Sequence, residues 1–106
     1  MSAIEKVTAH YDSLGTIKTY VPEWDETIYN QPITLHNRSR IAKATGDTDT
    51  EFAIRALIEL ACDKDGNKLY SIEDLQALRT KADPKVIDRV VVQMTKTPSI
   101  EEQKGN

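Results

Sequence analysis

The sequence predicts an α+β domain, mostly α, in which a short N-terminal helix and a small β-hairpin precede about four packed helices. Three observations lead there. Apolar residues recur at spacings of three and four near the start of the chain and again beyond residue 50. Between those stretches, β-branched and aromatic residues gather in two short runs on either side of Trp24-Asp25-Glu26. Two helix-start signals, Ser71 to Asp74 and Asp83-Pro84, then divide the C-terminal part.

Each element has its own warrant. Ile4, Val7, Tyr11 and Leu14 form one stripe of a helix, and Gly15 can take the left-handed conformation that closes it. Thr16 to Leu35 reads as the hairpin, with Pro22 and Pro32 at strand ends or edges because proline donates nothing to a ladder. Residues 35–44 read as a basic, mostly polar helix that Thr34 can cap and Gly46 can end. The turn-rich run from Thr45 to Thr50 then offers Asp and Thr side chains to cap the next helix.

The third helix, 51–62, carries Glu51, Arg55 and Glu59 in one narrow charged stripe. Phe52, Ile54, Leu57, Ile58 and Leu60 cover the rest, so this helix belongs at the centre of the core. The fourth helix, 72–82, starts on the capping box and stops before Pro84. In the fifth, 84–96, Val86, Ile87, Val90, Val91 and Met94 share one face. Val90-Val91-Val92 also has strand propensity, and the Asp83-Pro84 start outweighs it. The predicted core is Ile54, Leu57, Ile58, Leu75, Leu78, Ile87, Val90 and Val91.

Composition limits the function classes. At 106 residues the chain suits one small domain, read here as residues 1–96, with 97–106 a flexible tail too poor in apolar residues to pack. A domain of this size has no room for a large internal active site. The 17 acidic and 14 basic residues leave a net charge of −3, with no basic footprint for nucleic acid. No wholly apolar run exceeds three residues, as in Val90 to Val92, far short of the ~20 residues a membrane-spanning helix needs. Neither a signal peptide nor an internal disulfide is expected, since Cys62 is the single cysteine, and a cytosolic protein is the reading.

Few residues invite chemistry. Asp63-Lys64-Asp65-Gly66-Asn67 has the spaced carboxylates and glycine of a calcium loop, but the register then puts Ala61 at the first position and Ile72 at the twelfth, where carboxylates are needed. An ordinary turn is the stronger reading, with a small calcium-binding regulatory module as the alternative. Cys62 with His10 or His36 is formally a nucleophile and base, yet a lone cysteine at an apolar position behaves as a small hydrophobe. One cysteine and two distant histidines also lack the spacing of a zinc site. Arg38, Arg40 and Lys43 form the one dense basic cluster, a solvated face or a contact for an acidic partner. No enzyme activity and no cofactor are expected.

Two pieces carry a resemblance. Tyr20-Val21-Pro22-Glu23-Trp24 runs into a strand, and an apolar helix ends in Leu60-Ala61-Cys62 before Asp63-Lys64-Asp65-Gly66-Asn67-Lys68-Leu69-Tyr70-Ser71. Their order after a short N-terminal helix, with Leu75, Leu78 and Lys81 following, resembles the tail assembly chaperones of long-tailed bacteriophages over about residues 4–96. Asp25 departs from the pattern, standing where glycine is expected after the tryptophan.

The resemblance implies a non-enzymatic role: keeping the tape measure protein soluble and recruiting tail tube subunits during tail morphogenesis. It also implies the infected host's cytoplasm as location, absence from the mature virion, and a longer frameshifted product joined near Gln103-Lys104-Gly105-Asn106. A structural component retained in the tail is the alternative. Trp24 is read as packing the hairpin end on the helical core rather than anchoring a partner. Surplus apolar surface on the fifth helix points to self-association or to a helical client. Val92, Met94, Arg38 and Arg40 are the candidate partner-binding residues, unless the hairpin covers Val92.

Overall fold

A computed structural model describes residues 2–45 and 49–96. Helix α1, Ala3–Ser13, begins at Ser2, whose hydroxyl accepts from the Glu5 N–H while the Glu5 carboxylate accepts from the Ser2 N–H, both at 3.2 Å. That reciprocal cap satisfies two otherwise orphaned donors. No residue of α1 is buried. The helix is held at its far end, where the Tyr11 hydroxyl donates to the Pro32 carbonyl at 2.6 Å. The molecule is accordingly elongated, 48 × 30 × 25 Å, with a radius of gyration of 14.8 Å against about 13 Å for a compact chain of this length.

Strands β1, Ile17–Val21, and β2, Glu26–Asn30, pair antiparallel with Thr19 opposite Ile28. Pro22 to Trp24 forms a single 3₁₀ turn, and Asp25 reverses the chain at φ 48 and ψ 50. Left-handed backbone explains why glycine is the natural residue here, and Asp is among the few others that tolerate it. Thr19, Val21, Ile28 and Asn30 are buried on one face of the hairpin. Pro22 directly follows β1, and Pro32, fully buried, follows β2, so both stand at strand ends.

Helix α2, Leu35–Thr45, is capped by Thr34, whose hydroxyl accepts from the Asn37 N–H at 3.1 Å. The Asn37 side chain returns the bond to the Thr34 N–H, also at 3.1 Å. The expected stop at Gly46 and the middle of the Thr45 to Thr50 run, residues 46–48, fall outside the described residues, as does the 97–106 tail.

Helix α3, Asp49–Leu60, ends two residues before the expected Cys62. Cys62 leaves the helix because it exchanges both backbone hydrogen bonds with Tyr29, each 2.8 Å, and so covers the second edge of β2. The chain then folds back, with Asp63 N–H donating to Asn67 C=O and Leu69 N–H to Ala61 C=O.

The predicted 72–82 helix is shorter and begins differently. Ile72–Asp74 is a 3₁₀ turn and α4 proper is Leu75–Thr80, so Ala82 lies past its end. Its capping box holds: Ser71 N–H donates to Asp74 at 2.9 Å and Glu73 N–H donates to the Ser71 hydroxyl at 3.3 Å. Helix α5, Pro84–Thr95, keeps Val90-Val91-Val92 helical. The Asp83 carboxylate accepts from Lys85 N–H at 2.9 Å and Pro84 supplies the first turn, so start signals and an apolar face override valine's strand propensity.

Helix α3 forms the centre of the core, packed by α2, α4 and α5. Ile54, Leu57, Ile58, Ile87, Val90 and Val91 are buried as predicted, whereas Leu75 and Leu78 border the core half-buried. The hairpin adds Val21 and Ile28 from the α5 side. The charged stripe of α3 docks its neighbours: Glu51 pairs with Arg79 of α4, and Glu59 with Arg40 of α2 at 3.2 Å.

Candidate interaction surface

The fold leaves apolar side chains exposed on several helices. On α1, Ile4 and Val7 are 66% and 62% exposed, since the helix projects and only Tyr11 and Leu14 at its end are half-buried. On α5, Val92 is 67% exposed. The hairpin does not cover it, because β1 packs on the flank of α5 formed by Val90 and Gln93. Leu35, at the start of α2, and Ile72, before α4, are exposed as well.

Met94 is different. It is fully buried, and its backbone carbonyl accepts from Asn30 Nδ2 at 2.9 Å, so Met94 is a core residue that no partner can touch without opening the fold. Its position two residues after Val92 turns it roughly 200° around the helix, from solvent to core.

The basic cluster also divides. Arg38 and Arg40, two positions apart, stand roughly 200° from each other on α2. Arg40 is committed to Glu59, while Arg38 is exposed and makes no ion pair among the described residues. Trp24 is half-buried against the core, consistent with a packing role. Beside it, Glu23 is clamped by Arg89, which holds its carboxyl down at about 2.

The Asp63 to Asn67 turn spends its carboxylate internally. Asp63 accepts from the N–H groups of Asp65 and Asn67, at 2.8 and 2.9 Å, and from Asn67 Nδ2 at 3.2 Å, which lowers its pKa. Gly66, at φ 87, completes the turn. These bonds are those of an Asx-type turn, and among the described residues no three His, Cys, Asp or Glu side chains gather around a common metal position. Cys62 is half-buried, its thiol 3.5 Å from the Leu60 carbonyl. Tyr70, half-buried, has its pKa raised by burial and by Glu26 and Asp74. It borders a shallow hollow of about 540 Å³ with Ile58 and Ile72.

Periodicity could not show which stripes stay uncovered. The alternation of exposed Lys18 and Tyr20 with buried Thr19 and Val21 was the available signal for an outer strand, and the exposure of α1 has no signal in its own amphipathic pattern.

No helix among the described residues is long and apolar enough to cross a membrane. No family model and no curated protein sequence matches the chain. Among solved structures, that of the bacteriophage HK97 tail assembly chaperone superposes with a TM-score of 0.60 over 90% of this chain and 93% of that one, at 19% identity. The arrangement of projecting helix, hairpin and central-helix core is thus the fold of that phage chaperone.

Proposed function

We propose that this chain is a phage tail assembly chaperone, a non-enzymatic protein that binds the tape measure protein and keeps it soluble while tail tube subunits are recruited. The observation that carries the reading is the fold shared with the HK97 protein over nearly the whole of both chains. Exposed apolar side chains on two helices, Ile4 and Val7 on α1 and Val92 on α5, suit a client that is itself a long helix with an apolar stripe. Working in the host cytoplasm and in many copies, the chaperone covers that stripe until tube subunits replace it.

The test is co-expression. A tape measure protein from the same phage should be recovered in the soluble fraction with this chain and aggregate without it, and the chain should be absent from purified virions. An equally insoluble tape measure protein in both cultures overturns the proposal, and recovery of the chain in virions favours a tail component instead.

A further inference from the structure

A row of charged side chains crosses α2, α3 and α4. Along α3, Glu51, Arg55 and Glu59 stand in one stripe, because residues four apart lie one above the other. The two carboxylates, roughly 12 Å apart along the axis, are both engaged by neighbouring helices, Glu51 by Arg79 of α4 and Glu59 by Arg40 of α2. Arg55, midway between them, makes no ion pair or hydrogen bond among the described residues. It is half-buried, and its Nε is shut away from solvent without a partner. Glu51, whose carboxyl is held below the usual carboxylate range first by Arg79, feels Arg55 only at a distance.

Lys43 is a second free cation of this row. It follows Arg40 by three residues and so shares the flank of α2 that borders α3. It is exposed and makes no ion pair among the described residues. Helices α2 and α3, joined by residues 46–48 alone, run antiparallel with Arg40 beside Glu59, so Lys43 and Arg55 come within about one helical turn of each other. Arg40, Lys43, Arg55 and Arg79 against Glu51 and Glu59 give the row an excess of positive charge, in a chain whose net charge is −3.

We infer that this row is a docking surface for an acidic segment of a different protein, one carboxylate of which seats between Lys43 and Arg55. The buried stem holds the guanidinium in place, and its terminal nitrogens, which bond nothing among the described residues, offer solvent a fork that matches a carboxylate. A cation fixed in advance loses little freedom on binding. Charge alternation along the row chooses the occupant. Nucleic acid would lay phosphates against Glu51 and Glu59 as well, where like charges oppose it. A second copy docked by this same face about a two-fold axis would set its own Lys43 and Arg55 against these. A protein segment can place one carboxylate in the gap and leave the paired groups on either side undisturbed. The row lies on other helices than Ile4, Val7 and Val92 and does not depend on the chaperone reading.

Fluorescence anisotropy at low ionic strength tests the assignment, with the purified chain and a labelled helical peptide of alanine and glutamine that carries two glutamates four residues apart. The wild-type chain should bind this peptide and not its counterpart with glutamine in place of glutamate. Arg55→Gln should weaken binding at least tenfold and keep the wild-type melting temperature, since Arg55 has no ion pair to lose. If Arg55→Gln fails to fold, Lys43→Glu at the exposed rim decides, and it should abolish binding. Arg38→Gln, on the other flank of α2, should bind like wild type. A wild-type chain that binds no peptide, or an equal loss in Arg38→Gln, overturns the proposal. Tighter binding of a single-stranded DNA overturns it in favour of nucleic acid, and a wild-type oligomer that Arg55→Gln dissociates overturns it in favour of a second copy.

Discussion

The Arg89 guanidinium clamps the Glu23 carboxylate through two hydrogen bonds, 2.7 and 2.5 Å long, and so ties α5 to the tip of the hairpin. This pair holds the carboxyl at about 2, against 4.5 ordinarily. A depressed carboxyl stabilises the folded state above its unfolded pKa and loses that contribution as pH falls through the folded one. In thermal melts, Arg89→Gln should therefore melt lower than wild type at neutral pH, and the two curves should converge between about pH 4.5 and 2. The gap should be only a few degrees, because both side chains are largely exposed. A gap that is constant down to pH 2 would refute the assignment.

Asn30 joins the hairpin to the end of α5 from inside the core. Its amide donates to the Gln31 and Met94 carbonyls at 2.8 and 2.9 Å. Asn30→Ala leaves a buried carbonyl without its donor, and should cost about 2–3 kcal/mol in urea unfolding. Asn30→Asp should cost more at neutral pH and recover part of the loss in acid, when the carboxyl regains a proton to donate. A loss for Asn30→Ala within about 0.5 kcal/mol of zero, the range of ordinary surface substitutions, would show that the carbonyls find other partners.

The hairpin turn should respond to backbone conformation rather than to side-chain chemistry. Asp25 sits at φ 48, and its carboxylate receives only a long 3.4 Å bond from the Tyr20 hydroxyl. Asp25→Gly should be neutral or stabilising by up to about 1 kcal/mol, whereas Asp25→Val should lose about 1–2 kcal/mol. Equal stabilities for the two variants would mean the turn relaxes into another conformation.

Val92 and Met94 make a paired test of surface against core. Val92→Asp should leave unfolding stability within about 0.5 kcal/mol of wild type. Met94→Ala should lose about 2–5 kcal/mol as a buried side chain is removed. If the chaperone reading holds, Val92→Asp and Val7→Asp should each recover less soluble tape measure protein while keeping the wild-type melting temperature. Unfolding of Val92→Asp would place that residue in the core and remove it from the interaction surface.

Local signals are encoded by neighbours in the chain, and they were legible. Ser71 with Asp74 and Asp83 with Pro84 mark helix starts because capping is a contact across three residues or fewer. The period of α3 marks the core because a stripe of Glu51, Arg55 and Glu59 leaves the remaining faces apolar. The Asp63 to Asn67 turn was legible as a turn because its Asp, Gly and Asn residues are local turn formers, and Asp63 accepts there from the Asp65 and Asn67 N–H groups.

Other outcomes depended on which surfaces meet, a matter no local pattern records. Cys62 continues the apolar run of α3, yet the two backbone hydrogen bonds it exchanges with Tyr29 draw it to the sheet edge and end the helix at Leu60. Met94 lies on the apolar face of α5 and Val92 just off it, and the packing of α3 and the hairpin on α5 buries the one while leaving the other uncovered. The stripe of Ile4 and Val7 has the same amphipathic form as a buried helix face, and it stays in solvent because α1 is anchored at Tyr11 and projects beyond the body. The sequence by itself determined where helices and turns begin. Tertiary structure decided which apolar faces were covered, because burial is a property of two surfaces in contact and each surface carries only its own half of the information.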